Sequence, residues 1–401
     1  MNREMKHSGI AWAELIPSHW NVERGKHVLT LMQRQVREDD EIITCFRDGE
    51  VILRKLRRED GFTMSDKEIG YQGINVGDIV IHGMDGFAGA IGVSKSRGKG
   101  TPVYVVCTTK DNSNNSYIVY YLRTLAQNNV FLALATGIRE RSCDLKWNKI
   151  SVLPFLLPPI SEQKAIADFL DKKCGEIDEL VALQEKIIEE LKSYKQSVIT
   201  ETVCKGLNPN APMKDSGVDW IGEIPEKWDV SKLKYYLSIS SGEPVLSHLF
   251  TDKEGYPIYG GGNVMGYCKE TNVSVGHILV GRVGSCGNVV CPNSDVWATD
   301  NALIITPRFP IKYMYYLLTA ANLKTLSTSN AQPLITATKI KNVLIPLSSL
   351  SEQQEIADYL DKKCSEIDQL ISIKQQKIVE LKDYKKSLIY EYTTGKKEVK
   401  L

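Results

Sequence analysis

Over most of the chain, apolar residues gather in short β-branched runs. In two long stretches they return every three or four positions instead. In the first stretch one row steps by sevens through Leu170, Ile177, Gln184, Leu191 and Val198, and a second runs through Ile166, Lys173, Leu180, Ile187 and Tyr194. All but Gln184 and Lys173 are apolar. A period near 3.5 residues predicts a long helix with a seam for a partner helix. The second stretch repeats the design: Leu360, Ile367, Lys374, Leu381 and Leu388, then Ile356, Lys363, Leu370, Lys377 and Tyr384. Neither stretch holds an internal proline, and Gly175 is the only internal glycine. Ser161 and Ser351 are placed as N-caps, with Glu162 and Glu352 in the first turns, where the helix dipole favours a carboxylate. From Ser161 to Val203 a helix would span ~64 Å.

A single helix with such a seam is not stable alone in water. The two seams carry alike residues at alike places, polar breaks included (Lys173/Lys363 and Gln184/Lys374). They are expected to pair antiparallel within one molecule, with the polar breaks fixing register. That pairing would put the flanking modules at opposite ends with pseudo-two-fold symmetry. Docking of each helix onto its own globular module is the alternative.

The similarity is a true duplication. Ser161-Glu162-Gln163, Ile166-Ala167-Asp168, Asp171-Lys172-Lys173-Cys174 and Glu176-Ile177-Asp178 reappear as Ser351-Glu352-Gln353, Ile356-Ala357-Asp358, Asp361-Lys362-Lys363-Cys364 and Glu366-Ile367-Asp368. The period of about 190 residues lies far beyond that of solenoid repeats. Upstream, Trp12, Ile16-Pro17 and Trp20 are echoed by Trp220, Ile224-Pro225 and Trp228. Each module thus opens on Trp-x-x-x-x-Pro-x-x-Trp and closes on a long helix. The filling between does not repeat by eye. Strand signals occur at Ile79–Ile81, Pro102–Val106 and His277–Val280, and helix signals at Tyr117–Leu132 and Ile311–Leu326. The expected fold class is α+β, two α/β modules with strand-rich cores, each followed by a long helix, the two helices forming an intramolecular antiparallel coiled coil. The expected divisions are a module at 1–158, a helix at 159–205, a turn-rich linker at 206–216, a module at 217–347, a helix at 348–395 and a flexible tail at 396–401.

Composition adds bounds. The 401 residues have ordinary apolar and charged fractions and a net charge of +1. No apolar run is long enough for a transmembrane helix, and the N-terminus lacks a signal-peptide core. The nine cysteines show no Cys-x-x-Cys pair, which suits reduced thiols in a cytoplasmic protein. The charge is uneven: basic clusters (Arg54-Lys55 with Arg57-Arg58; Lys95, Arg97 and Lys99; Arg139 and Arg141) sit in the unrepeated filling.

Catalytic and metal motifs are missing. Gly92–Gly100 has the wrong glycine spacing for a phosphate loop and ends without the needed Ser or Thr. Gly260–Gly266 lacks the strand–glycine–helix setting of a dinucleotide site. Asp171-x-Lys173 and Asp361-x-Lys363 match a nuclease triplet but read as solvated helix charge. The six histidines show neither metal spacing nor a triad.

Two copies of Ser-Glu-Gln-x-x-Ile-Ala-Asp-aromatic-Leu-Asp-Lys-Lys, each closing a Trp-tagged module, resemble the specificity (S) subunit of type I restriction-modification systems. So do Val280–Ser285, Ala298–Leu303 and Asn330–Thr336, with Gly137-Ile138-Arg139 in a comparable place in the first module. One local departure is Pro158-Pro159 before the first helix against Ser348-Ser349 before the second. The resemblance implies that 1–158 and 217–347 are target-recognition domains, each reading half of a split double-stranded DNA site, with the paired helices setting the gap. It implies two methyltransferase (M) subunits and motor-nuclease (R) subunits as partners. No cofactor belongs to this chain; S-adenosylmethionine, ATP and Mg2+ would act in the partners. The chain would carry addresses and no catalytic residue or metal.

The candidate DNA contacts are Lys95, Arg97, Lys99, Arg139, Arg141 and Lys146 in the first module and Arg282, Ser285, Asn288, Gln332 and Lys339 in the second. Arg suits guanine, and Asn or Gln suits adenine. Each is equally readable as an ordinary surface or turn residue. Two rival functions stay open: a non-catalytic coiled-coil adaptor with two different protein-binding domains, and a fused restriction enzyme with cryptic catalysis.

Overall fold

The structure, a computed structural model, describes residues 3–57, 69–134, 145–252, 254–327 and 333–399. The chain divides into two units, Met1–Leu183 with Lys377–Leu401 and Gln184–Gln376.

In the first unit, Met5–His7 pairs antiparallel with Leu15–Pro17, and Asn21–Arg24 pairs with Pro154–Leu157. A four-stranded antiparallel sheet follows in the order Leu29–Leu31, Tyr104–Thr109, Ile79–His82, Ile91–Val93. Side chains alternate across a strand. Ile79, Ile81, Val105 and Cys107 therefore pack into the core built on helix Asn115–Gln127, while Val80, Tyr104 and Val106 pack with Ile43, Cys45, Val51 and Ile74 on the other face. The Asn114 side chain caps that helix by accepting from Tyr117 N at 2.9 Å.

The second unit has the same frame. Met213–Asp215 pairs with Glu223–Pro225, and Asp229–Lys232 with Leu344–Leu347. Its sheet runs Leu237–Ser241, Ala302–Pro307, Ile278–Gly281, Val289–Val290, with helix Ile311–Ala320 after it. Met213–Asp215 lies inside the expected linker, so the end of that linker is a strand of the tag. The duplication thus reaches into the filling, where strand order and pairing repeat and residue identity does not. What differs is added: strand pairs Ile43–Cys45/Val51–Leu53 and Gln72–Ile74/Gly98–Gly100 in the first unit, and a second four-stranded sheet at 250–298 in the other.

The long helices run Ile160–Lys205 and Leu350–Thr393. Within the first unit, Lys385 Nζ lies 2.7 Å from Asp178 and the rings of Phe169 and Tyr392 are 4.6 Å apart, so the segments pack antiparallel. Within the second, Lys195 Nζ lies 2.7 Å from Asp368 Oδ1, and Ile199 and Val203 share a core with Ile356 and Leu360. Adding the repeat period to Asp178 and Lys195 gives Asp368 and Lys385, so one register serves both pairings.

The seam corrects one of the two expected rows. Leu170, Ile177, Leu360 and Ile367 are buried and Leu191 and Leu381 half-buried, as expected of that row. The companion row is shifted by one residue. It runs through Ala167, Cys174, Val181 and Ile188, and through Ala357, Cys364, Ile371 and Ile378. Leu180, Tyr194, Leu370 and Tyr384 instead stand 46–58% exposed on the outside. Ile166 and Ile356 are buried against their own units, and Ile187 is half-buried. Lys173 and Lys363 leave the seam to pair with Glu176 and Glu366.

The helix ends explain the tags. The helices start one residue before Ser161 and Ser351, so Pro159 and Ser349 occupy the cap positions. Ser349 and Glu352 form a reciprocal capping box: Glu352 Oε2 accepts from Ser349 N at 3.1 Å, and Glu352 N donates to Ser349 Oγ at 3.3 Å. Pro159 has no hydroxyl to do this. Trp20 Nε1 donates to Glu162 Oε2 at 3.1 Å and Trp228 Nε1 to Glu352 Oε1 at 3.2 Å. Gln163 and Gln353, both buried, donate to Pro158 O and Ser348 O. Beyond the helix C-termini, Gly206 and Gly395 both have φ +72°. A Cβ at Gly206 would lie 3.2 Å from the Trp228 ring, and one at Gly395 2.3 Å from Pro17 and 3.2 Å from the Trp20 ring. Each tag tryptophan is therefore held by the start of one long helix and the end of the other. The described part of the expected flexible tail folds back: Lys397 pairs with Glu391 at 2.7 Å, and Val399 packs on the core.

Candidate nucleic-acid interface

In each unit a glycine-bearing hairpin loop leaves the central sheet strand. In the second unit it spans Gly281–Asn288. Gly281 N donates to Asn288 O at 2.9 Å and Gly287 N to Gly281 O at 2.8 Å. Glycines are required where it meets Gly260-Gly261-Gly262: a Cβ on Gly281 would fall 1.9 Å from Gly261 O, and one on Gly261 2.2 Å from Val283 O.

Arg282 is the junction. Its backbone N donates to Asn301 O at 2.8 Å, and its carbonyl accepts from Ile335 N at 3.0 Å. The three sequence motifs at 280–285, 298–303 and 330–336 thus converge on one residue. Ser285, Asn288 and Arg282 share this loop and are all half-buried. The first unit repeats the arrangement at Gly83, whose N donates to Val103 O and whose carbonyl accepts from Leu145 N, both at 2.9 Å. His82 braces that loop, its Nδ1 accepting from Met84 N at 3.2 Å and Asp85 N at 3.0 Å. Burial pushes the His82 pKa down, which keeps the ring the neutral acceptor these bonds need.

The sequence candidates separate. Lys146 is exposed beside this loop, at the cap of helix Trp147–Ile150. Its counterpart is Thr336, which caps Ala337–Lys341 by accepting from Lys339 N. Lys95 is exposed and pairs with Glu50 at 3.2 Å. Lys99 lies half-buried in a strand. Arg97 is committed elsewhere: its Nε and Nη2 each reach Asp40 at 2.8 Å, and Nη1 donates to Asn75. The Arg97 hydrogen bonds hold the Asp40 pKa down, against burial that pushes it up. Lys339 is likewise turned inward, Nζ donating to Leu326 O at 2.7 Å. Arg97 and Lys339 thus have their polar ends engaged within the fold. Arg139, Arg141 and Gln332 lie outside the described residues.

Sequence reasoning missed Leu145, Gly83 and the clamp they form. The signal was present: the repeat period that aligns the helices also aligns Leu145, Lys149 and Ile150 with Ile335, Lys339 and Ile340. Among the described residues no group of three or more His, Cys, Asp or Glu is placed to hold a metal ion, and no helix is long and apolar enough to cross a membrane.

Residues 225–383 match the family model described as Type I restriction modification DNA specificity domain. A Methanocaldococcus jannaschii protein described as a type I restriction enzyme MjaX specificity subunit is 26% identical over 420 aligned positions, covering 96% of this chain and 95% of that one. Among solved structures, a chain from a study of complex assembly and conformational transition in the type I R-M system aligns with a TM-score of 0.71 at 15% identity, over 94% of this chain and 98% of that one. The HsdS subunit from Thermoanaerobacter tengcongensis aligns with a TM-score of 0.51 at 16% identity, over 95% and 98%. These two structures share the fold.

Proposed function

We infer that this chain, a member of the type I restriction-modification specificity-subunit family, is the part of its complex that chooses the DNA sequence. The observation that carries the reading is the duplicated clamp at Gly83 and Arg282, set in two units whose additions differ. One scaffold holds two unlike readers, as a split site with two unlike halves requires. Each unit reads one half-site. Base-edge contacts come from the hairpin loop and the segment that pins it: Arg282, Ser285 and Asn288 in the second unit, and Lys146 in the first. Phosphate contacts supply affinity and base contacts supply sequence.

The antiparallel helices set the gap between half-sites. Two readers meet the same face of a duplex only when their spacing suits its helical repeat. The outer apolar residues, Leu180 and Leu183 in the first unit and Leu370 and Ile373 in the second, are exposed and suit docking of two methyltransferase subunits. Those subunits would bring S-adenosylmethionine, and a motor-nuclease subunit ATP and Mg2+. The chain itself acts as a non-catalytic targeting subunit. Methylome sequencing of cells that express it with its methyltransferase partner tests the reading. A new bipartite methylated motif is expected, and methylation without sequence preference refutes it.

A further inference from the structure

Beside the Lys385–Asp178 pair, the first unit has a groove of about 430 Å³. It is lined by Arg47, Arg123, Lys382, Lys385 and Lys386, with Asp48 and Asp178 as the only carboxylates. One wall is Phe87, Ala88 and Gly89, the far side of the loop that starts at the Gly83 clamp. Several of these cations already have carboxylate partners: Arg47 with Asp85 at 2.9 Å, Lys385 with Asp178 at 2.7 Å, and Lys386 with Asp383 at 2.9 Å. Arg123 differs: its Nε is buried without a hydrogen-bond partner, and Asp48 on the same groove feels its charge.

The second unit supplies an internal comparison. The groove beside Lys195–Asp368, about 440 Å³, opens on the Tyr316 and Asp361 side of that pair and does not reach Thr319 or Gln196, so the comparison is made residue by residue. Tyr120 and Tyr316 mark equivalent places, each donating to the equivalent carboxylate, Asp171 or Asp361, at 2.7 Å. On that alignment Arg123 corresponds to Thr319, and the helix repeat makes Lys386 correspond to Gln196. Gln196 Nε2 donates to Thr319 O at 3.2 Å. Where the second unit closes its helices with a neutral hydrogen bond, the first sets two cations on one groove. Gathering like charge disfavours the folded chain unless an anion joins it.

We propose that this groove holds a backbone phosphate of the bound duplex, between Arg123 and Lys386, in the first unit only. The proposal rests on the specificity-subunit reading and adds that the two halves bind unequally: the first contributes a sequence-independent phosphate clamp that the second lacks. An Arg guanidinium with flanking ammoniums suits a phosphodiester, and continuity with the reading loop favours DNA over an acidic protein segment.

The test is duplex binding by the assembled S–methyltransferase complex over a salt series. The variant is Arg123→Thr with Lys386→Gln, which installs the residues of the second unit. Lys386→Gln alone, at an exposed site, serves as the milder variant. Losing one phosphate contact flattens the log–log salt slope by about 0.9, so the variant's deficit shrinks roughly 3- to 4-fold between 50 and 200 mM salt. The loss falls alike on cognate and scrambled duplexes. Salt plots parallel to wild type, in a complex that still prefers its own site, overturn the groove. A wild-type complex with no preference for any site overturns the underlying reading instead.

Discussion

Trp20 donates its indole N–H to Glu162 at 3.1 Å, joining two residues 142 positions apart in sequence. His19 and Arg3 bind the same carboxylate. Burial pushes the Glu162 pKa up, but the bonds from His19, Arg3 and Trp20 outweigh it and the net shift is downward. Glu352 is shifted down likewise, with Ser349 and Trp228 outweighing burial.

A depressed folded-state carboxylate stabilises above its unfolded pKa of about 4.3 and loses that contribution as pH falls through the folded value. Glu162→Gln should therefore lower Tm at neutral pH and flatten the acid limb of a Tm-against-pH curve. An acid limb identical to wild type would contradict the assignment. Trp20→Phe removes one bond to a charged acceptor and should cost about 1.5–3 kcal/mol in denaturant titration.

Arg97 and Lys95 differ in how deeply their carboxylate partners are buried. Asp40 is 5% exposed, and removing its bidentate partner Arg97 leaves a buried charge with only the bond from Arg37 N among the described residues. Arg97→Met should destabilise the chain by about 3–5 kcal/mol. Lys95→Ala, at an exposed pair, should stay within about 1 kcal/mol. Thermal unfolding of the isolated variants measures both.

The shifted seam makes a paired prediction. Ile177, 5% exposed, should cost about 2–5 kcal/mol when cut to Ala, and Leu180, 46% exposed, should be nearly neutral in the isolated chain. Equal losses would restore the unshifted row.

Gly395 and Gly206 share a left-handed backbone but differ in room. Gly206→Ala should cost about 1 kcal/mol for conformation alone. Gly395→Ala adds a collision with Pro17 and should cost more, visible as the larger drop in Tm.

Deleting one matched heptad from both long helices removes about 10 Å from each, or roughly three base pairs. The methylated motif should keep its half-sites and lose about three positions of gap. An unchanged gap would sink the ruler.

The long helices were legible because a seam must repeat near 3.5 residues. Their facing was only half legible. The inner row mixes small and polar residues, Ala167, Cys174 and Lys195, with Val181 and Ile188, while the outer carries Leu180 and Tyr194, so hydrophobicity alone does not select the stripe. The four-stranded sheets were partly hidden because Ile79-Val80-Ile81 and Ile278-Leu279-Val280 are buried on both faces, successive residues entering two different cores, so no polar-apolar alternation marks them. Arg97 and Lys339 read as surface cations because their partners, Asp40 and Leu326 O, are brought close only by the fold.

The closing glycine Gly395 rests on the opening tag at Pro17 and Trp20, and Tyr390 OH donates to Trp12 O at 3.2 Å. Head and tail of the described chain are thus neighbours, as Gly206 and Trp228 are in mid-chain. A circular permutant, with Val399 tethered to Arg3 and new termini cut between Leu207 and Pro212, would keep both glycine–tryptophan contacts. One glycine–tryptophan seat is thus used twice, once in each unit.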